Sequence, residues 1–403
     1  MTTTKKSHIH ASDVRGASRL AIDATLGLTS LVETMHHNIL RTPGILGEST
    51  QQPAKGITGF VYKSIRGVTR LVGGSIDAVL RQLVPLLGVG KSSAQREAVL
   101  AALNGVLGDH LQASANPLAI TMQLRRDGHA LELTRKALAA TIPDVTGKIL
   151  LLAHGLCMTD LEWRRKGHDH GAALAADAGF TPLYLHYNSG LHISANGRAF
   201  AEQIETLLRA WPATVEEVVI IGHSMGGLLT RSACYYGEVA GHDWLRHLSK
   251  IIFLGTPHHG APLERGGNWV DLILDASPYT TAFARLGKIR STGITDLRHG
   301  SMVDEDWEHC DRFARAQRKQ THVPLPKNVT CYAIAASIAK KTGEPRKQLL
   351  GDGLVPVGSA LGQRANTRKN LTIPKSRQWV GYGMNHMDLL DHKQVYARIK
   401  CWL

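Results

Sequence analysis

A serine set between glycines is the strongest chemical signal in this sequence. The motif reads G-x-S-x-G and consists of Gly222, His223, Ser224, Met225 and Gly226. The apolar run Val215–Ile221 before it predicts a strand, and Leu228–Tyr236 after it predicts a helix. A nucleophile on a tight strand-to-helix turn needs small neighbours because its backbone is strained. We expect Ser224 to be such a nucleophile; the alternative, a glycine-rich phosphate loop, lacks both GxGxxG and the Walker lysine.

The acid that should accompany this serine is predicted in a glycine-flanked loop. A serine hydroxyl needs a base and an orienting acid, and after a turn of this kind they follow in the chain order serine, acid, histidine. Asp352 lies in Gly351-Asp-Gly-Leu-Val-Pro356, after the predicted strand Val329–Ile338. Ordinary turn chemistry is the alternative for an Asp-Gly pair. Asp388 and Asp391 are weaker candidates because they adjoin the predicted histidine in a helical segment.

The base is predicted to be His386, which follows the last predicted strand, Trp379–Tyr382. It comes after Asp352 in the chain, as the order requires. His258 and His259 also follow a strand but precede Asp352, and His392 lies in a continuing helix. The sequence therefore predicts the set Ser224, Asp352 and His386.

Two backbone amides are expected to hold the negative charge that develops on the substrate oxygen. The amide after the nucleophile belongs to Met225, and the second should come from the loop after an earlier strand. Leu151-Leu-Ala-His-Gly-Leu-Cys157 supplies that loop, and within it we nominate the amide of Leu156. An ordinary strand-ending turn is the alternative for His154-Gly155.

The elements that must position these residues are typical of an α/β fold. Six short apolar runs predict strands: Ile149–Ala153, Pro182–Tyr187, Val215–Ile221, Ile251–Leu254, Val329–Ile338 and Trp379–Tyr382. Continuous apolar strands separated by helices, such as Arg198–Trp211, indicate a mostly parallel sheet covered by helices on both faces. We assign residues 146–403 to this catalytic domain, with an inserted helical cap at about 261–323.

Residues 1–145 are predicted to form a separate helical region. Apolar residues recur at helical spacing within 20–35, 68–87 and 92–111. A helical cap packed on the catalytic domain is one interpretation. The other is a basic amphipathic surface that rests on an anionic membrane, since arginines flank the apolar face of 68–87.

The motifs together resemble a known family. His154-Gly155, Gly222–Gly227, Gly255-Thr-Pro-His-His-Gly260, Gly351–Pro356 and His386 look like α/β-hydrolases of the lipase/esterase type, and in particular like the PGAP1-like (GPI inositol-deacylase-like) hydrolases and related bacterial esterases. The resemblance covers about residues 147–403. It implies the α/β-hydrolase fold and ester hydrolysis through an acyl-serine intermediate, without a cofactor, and it does not imply a GPI substrate.

Charge and cysteine usage restrict the other classes of function. The 403 residues carry 47 Lys+Arg against 33 Asp+Glu, a net charge of +14. The excess is divided as +6 on residues 1–145 and +8 on the remainder, without the basic block typical of a nucleic-acid arm. Five separated cysteines without a CxxC pair argue against zinc knuckles. His168 and His170 are two apart and cannot share a helix face, so we expect no metal site.

The sequence thus predicts a cofactor-free serine hydrolase acting on carboxylic esters, with lipid esters among the candidate substrates. No signal peptide or membrane-spanning run is recognised, so a cytoplasmic location is expected, with peripheral contact to anionic membrane left open. Acyl transfer to an alcohol is an alternative that the same three residues would support. A non-catalytic membrane-surface protein on a hydrolase fold is another, although such proteins usually lack one of the three.

Overall fold

The computed structural model describes residue 16 and residues 94–260, 291–308, 321–340, 351–363 and 370–403. Its strands are β1 (Gln123–Arg126), β2 (His129–Ala130), β3 (Lys148–Ala153), β4 (Thr181–His186), β5 (Glu217–His223), β6 (Leu248–Leu254), β7 (Thr330–Ser337) and β8 (Gln378–Tyr382). Its α-helices are α1 (Ala94–Ala113), α2 (Arg135–Thr141), α3 (His170–Ala178), α4 (Ile193–Ala210), α5 (Met225–Ala240), α6 (Thr292–His299), α7 (Val357–Ala360) and α8 (Lys393–Trp402).

One mostly parallel sheet contains all eight strands. Their order is β2-β1-β4-β3-β5-β6-β7-β8. The pairs from β4 to β8 are parallel, whereas β1 is antiparallel to both of its neighbours, β2 and β4. The predicted α/β class and all six predicted strands are confirmed.

The central strands are apolar along their whole length because both faces of the sheet are covered. Successive side chains of a strand point to opposite faces. In β3, Ile149 and Leu151 pack in the cluster that contains Phe200 of α4, whereas Leu150 and Leu152 pack on the other face with Leu174 of α3. Helices α4 and α5 therefore lie against one face, and α3 and α8 against the other, so the parallel strands are fixed rigidly between them.

The predicted helical region over residues 1–145 is wrong in its last part, because β1 and β2 belong to the sheet. The two strands form a hairpin across Asp127-Gly128, whose φ angles are 51° and 77°. Consecutive positive φ values are typical of the type I′ turn that closes two-residue hairpins. The sheet therefore begins at Gln123 and not at 146, while the third predicted helix, 92–111, is confirmed as α1. The predicted helices at 20–35 and 68–87 lie outside the described residues.

Helices α1 and α6 pack together on the loops at the carboxyl ends of the strands. Leu103 and Val106 of α1 share a buried cluster with Ile294 and Leu297 of α6. Of the predicted insertion 261–323, the structure describes residues 291–308 and 321–323, which include α6 and a short 3₁₀ turn at Asp304–Asp306. The rest of the insertion lies outside the described residues. Among the described segments, no helix is long and apolar enough to cross a membrane.

Candidate active site

Ser224 occupies a strained turn between β5 and α5. Its φ of 53° and ψ of −123° fall in a region that residues with a side chain rarely adopt. The Ser224 amide donates to the Leu254 carbonyl of β6 at 2.8 Å, and the Ser224 carbonyl accepts from Gly227. These bonds hold the turn in the unfavourable conformation, which is the geometry that lifts a nucleophile out of the sheet.

The glycines around Ser224 are required by close backbone contacts. A Cβ on Gly226 would lie 2.2 Å from the Ala153 carbonyl oxygen, and one on Gly222 would lie 2.7 Å from the Gly227 backbone. Any side chain at either position would push the end of β3 or the start of α5 away. The predicted elbow residues therefore have a steric explanation.

Asp352 and His386 form a buried hydrogen-bonded pair. His386 Nδ1 lies 2.7 Å from Asp352 Oδ2, and their side chains are 6% and 0% exposed. The other carboxylate oxygen, Oδ1, accepts from the amides of Leu354 and Val355 at 2.9 and 2.7 Å. The His386 amide also donates to the Asp352 carbonyl at 3.2 Å. This arrangement orients the ring with Nδ1 towards the acid and Nε2 away from it.

The weaker acid candidates are engaged elsewhere. Asp388 accepts from the Asn385 amide in a capping box and pairs with Lys166 at 3.2 Å. Asp391 pairs with Arg165 at 3.0 Å. Both carboxylates thus stabilise the turn that carries His386 instead of contacting its ring.

Two of the weaker base candidates, His258 and His392, also have other partners. His258 is buried beside Arg231, whose guanidinium lies 3.4 Å from its Nδ1, and burial followed by this charge holds its pKa well below the ordinary value. His392 caps α8 by accepting from the Gln394 amide at 3.2 Å.

The end of β6 brings Ser224 and His386 to the same place. The Ser224 amide binds the carbonyl of Leu254, and a Cβ on the next residue, Gly255, would lie 3.1 Å from His386 Cε1. Gly255 has a φ of 57°, so a side chain there would be strained as well as obstructed. Within the described residues no hydrogen bond joins the Ser224 hydroxyl to His386. In free enzymes such bonds are often long and tighten when substrate binds.

The predicted amide donors lie on two segments that touch each other. Gly155, next to Leu156, is so close to Ser224 that a Cβ on it would lie 3.1 Å from the serine Cβ. Met225 is the first residue of α5, where the amide has no acceptor within the helix. Neither the Leu156 nor the Met225 amide donates to another described residue.

Two buried histidines support this region in the neutral form. Burial lowers the pKa of His154 to about 3 and holds that of His223 well below its ordinary value. His223 Nε2 lies 3.2 Å from the His386 carbonyl, which can only accept, so the neutral ring carries its proton on Nε2. His154 Nδ1 contacts the Gly155 carbonyl at 2.9 Å in the same way. Each ring thus donates to the backbone of a segment that forms the site.

Sequence reasoning missed a buried charged group beside the Leu156 loop. Arg125 of β1 lies 2.9 Å from Glu97 of α1 and 3.1 Å from Asp160, which follows the loop. His186, at the end of β4, lies 3.1 Å from the same carboxylate of Asp160. The four residues are far apart in the chain and match no motif, so only the fold reveals the group.

The His168 and His170 pair is accounted for by hydrogen bonds. His168 Nε2 lies 2.8 Å from His170 Nδ1, and His170 Nε2 lies 3.0 Å from the Leu389 carbonyl. His170 therefore fastens the turn that carries His386. No group of three or more metal-ligating side chains suited to an ion occurs in the described part of the chain.

The strand order, the serine turn after β5 and the helices on both faces define the α/β-hydrolase fold. Residues 144–331, just under half of the chain, match the family model described as PGAP1-like alpha/beta domain. The predicted resemblance is therefore confirmed at the level of fold and family model. That matched segment contains Leu156 and Ser224, but α1, Asp352 and His386 lie outside it.

Several solved structures are similar to this chain. A Bacillus licheniformis lipase in its mature form is 17% identical, with a TM-score of 0.40 over 70% of this chain and 97% of its own. A lipase-esterase related protein from Clostridium acetobutylicum is 12% identical, with a TM-score of 0.35 over 64% and 96%. A Pyrococcus furiosus esterase is 11% identical, with a TM-score of 0.38 over 64% and 81%. No curated protein sequence matches the chain significantly.

Proposed function

We propose that this protein is a serine hydrolase that cleaves carboxylic esters through an acyl-serine intermediate. The observation that carries the proposal is that Ser224 and the His386–Asp352 pair lie together at the carboxyl ends of the central strands. Ser224 lies there at a φ of 53°, and the His386–Asp352 pair, joined at 2.7 Å, packs beside it against the end of β6. A nucleophile, a base and an orienting acid are the groups that acyl transfer requires.

The reaction assigns one role to each group. Ser224 Oγ attacks the ester carbonyl and gives its proton to His386 Nε2, while Asp352 stabilises the imidazolium that forms. The amides of Leu156 and Met225 bind the oxyanion. As the intermediate collapses, His386 protonates the departing alcohol. Water, deprotonated by the same histidine, then releases the acid from Ser224.

A phosphonylating probe tests the nucleophile. We expect a fluorophosphonate to label the purified chain at Ser224, and Ser224→Ala to lose both the label and the hydrolysis of p-nitrophenyl esters. Ser249→Ala is the matched control, since Ser249 lies at the start of β6, far from the end of that strand where Ser224 is bound, and its hydroxyl donates to Glu217. Full labelling of Ser224→Ala would refute the assignment.

The substrate class is tested with the same protein. Hydrolysis rates over p-nitrophenyl esters of increasing acyl length define the chain length that the site accepts. Adding an alcohol and analysing the products separates hydrolysis from acyl transfer, because the acyl-serine is then released as an ester instead of an acid. Sedimentation with anionic liposomes at low salt tests peripheral membrane contact.

A further inference from the structure

Helix α1 touches the loop that carries one of the proposed oxyanion donors. Gly105 of α1 faces Cys157, the residue after Leu156. A Cβ on Gly105 would lie 2.2 Å from Cys157 Sγ and 3.1 Å from both its Cα and its backbone nitrogen. Cys157 has a φ of 59°, so the loop is strained at this point. The helix backbone thus limits how far the loop can move towards it.

The same loop is fixed on its other sides. The Cys157 amide donates to Ser189 Oγ at 3.0 Å, which ties the loop to the segment after β4. At the far end of the loop, Asp160 is linked through Arg125 to Glu97 of α1. Helix α1 therefore contacts the middle of the loop through Gly105 and is linked to the end of the loop through the two ion pairs of Arg125.

Hydrogen bonds of Asn104 and Gly105 fix the position of helix α1. Asn104 Nδ2 donates to the Leu118 carbonyl at 2.8 Å, and its Oδ1 accepts from the Ile120 amide at 2.9 Å. The Ser291 hydroxyl, just before α6, donates to the Gly105 carbonyl at 2.6 Å. Because both the helix and the loop are held, a side chain at position 105 would strain their contact at Cys157, one residue from the Leu156 amide.

We infer that α1 is a positioning element of the catalytic site, and that Gly105 sets the place of the Leu156 amide. The inference rests on the proposed function. Leu156 and Met225 belong to the same buried cluster as Leu103 and Val106 of α1, so the helix and both proposed donors share one packed region. The helix precedes the segment that matches the family model, which begins at residue 144. Its proposed action is indirect, through the loop that carries Leu156.

Gly105→Ala tests this inference in the full chain. Moving a donor by about 1 Å costs on the order of 100-fold, and losing one costs about 100- to 1,000-fold in kcat. We expect kcat for a p-nitrophenyl ester to fall about 100-fold with KM changed by less than about threefold, because the donor acts mainly in the transition state. Gly237→Ala is the matched control, since it adds a methyl in α5 at 3.1 Å from Trp244, about three turns from Met225.

A compensating change distinguishes positioning from general destabilisation. Cys157→Ala removes the Sγ that the new methyl would meet, so Gly105→Ala with Cys157→Ala should regain about tenfold in kcat over Gly105→Ala alone. All variants are assayed well below their unfolding midpoints. If Gly105→Ala does not fold, Arg125→Gln replaces it, since it removes the ion pairs of Arg125 with Glu97 and Asp160 and should lower kcat with KM preserved.

The outcomes separate the two proposals. Ester turnover by the wild type, with kcat of Gly105→Ala or of the replacement variant equal to that of Gly237→Ala, overturns only the inference about α1. Absence of Ser224-dependent turnover in the wild type overturns the proposed function and this inference together. A selective fall in kcat with recovery in the double variant supports both.

Discussion

Asp388 lies close to His386 in the chain and Asp352 contacts it in space, and the two carboxylates have different partners. Asp352 receives two amides on Oδ1, which turns Oδ2 towards the imidazole. Asp388 is only two residues from His386, yet its oxygens bind the Asn385 amide and the Lys166 ammonium. Proximity to His386 in the sequence therefore does not identify the acid that contacts its ring. The Asp-Gly turn, which makes Asp352 resemble an ordinary loop residue, is the feature that directs its carboxylate towards the imidazole.

Asp352→Asn should lower kcat by about 10,000-fold with little change in KM, because an amide facing Nδ1 favours the wrong imidazole tautomer. Asp388→Asn is the matched control and should cost less than about tenfold, since it loses a capping bond and an exposed ion pair. Steady-state kinetics on one p-nitrophenyl ester compares the two. Equal losses in both variants would contradict the assignment of the acid.

At the scale of elements, the sequence predicts what local patterns encode. The six central strands are recognisable because they are buried on both faces and so are apolar throughout. The β1–β2 hairpin is not recognisable in this way, because Gln123–Arg126 has only one buried residue. Its sequence signal is the Asp127-Gly128 turn between the two strands. Helix α1 is predictable as a helix, but its contact with the Leu156 loop joins Gly105 to Cys157, about 50 residues later, and periodicity carries no information on such a contact.

The turn into α5 depends on the absence of a side chain at Gly226. A methyl there would lie 2.2 Å from the Ala153 oxygen, and backbone cannot move aside as a side chain can. We expect Gly226→Ala to lower the free energy of unfolding by about 1–3 kcal/mol. Gly358→Ala is the control with the opposite sign: its nearest neighbour is 3.7 Å away, so it should be neutral or stabilise by up to about 1 kcal/mol. Urea unfolding measures both, and equal effects would contradict the steric explanation.

Across the whole molecule, the chain carries 21 histidines, and chain order together with the position after the last predicted strand singled out His386. What the sequence could not predict is which of the others are buried, since burial arises only when distant segments pack. Burial lowers the pKa of His154 to about 3 and of His170 to about 4, and holds those of His223 and His258 well below 6.5. The fold therefore places neutral rings around the site and makes its stability depend on pH.

Acidification should destabilise the protein from about pH 6.5 downward. In that range the unfolded chain binds a proton on each of these buried histidines and the folded chain does not. Each histidine therefore lowers the free energy of unfolding by about 1.4 kcal/mol per pH unit until its folded pKa is reached. Glu162 opposes the trend between pH 4.5 and about 7, because burial raises its pKa to about 7.

His170→Gln removes one histidine whose window extends from 6.5 to about 4. Its urea-derived free energy of unfolding should fall less steeply with decreasing pH than that of the wild type or of His129→Gln, an exposed control. Measuring in 0.5 M salt screens the surface repulsion of the +14 charge. Parallel curves for all three proteins would show that His170 takes up its proton in the folded state.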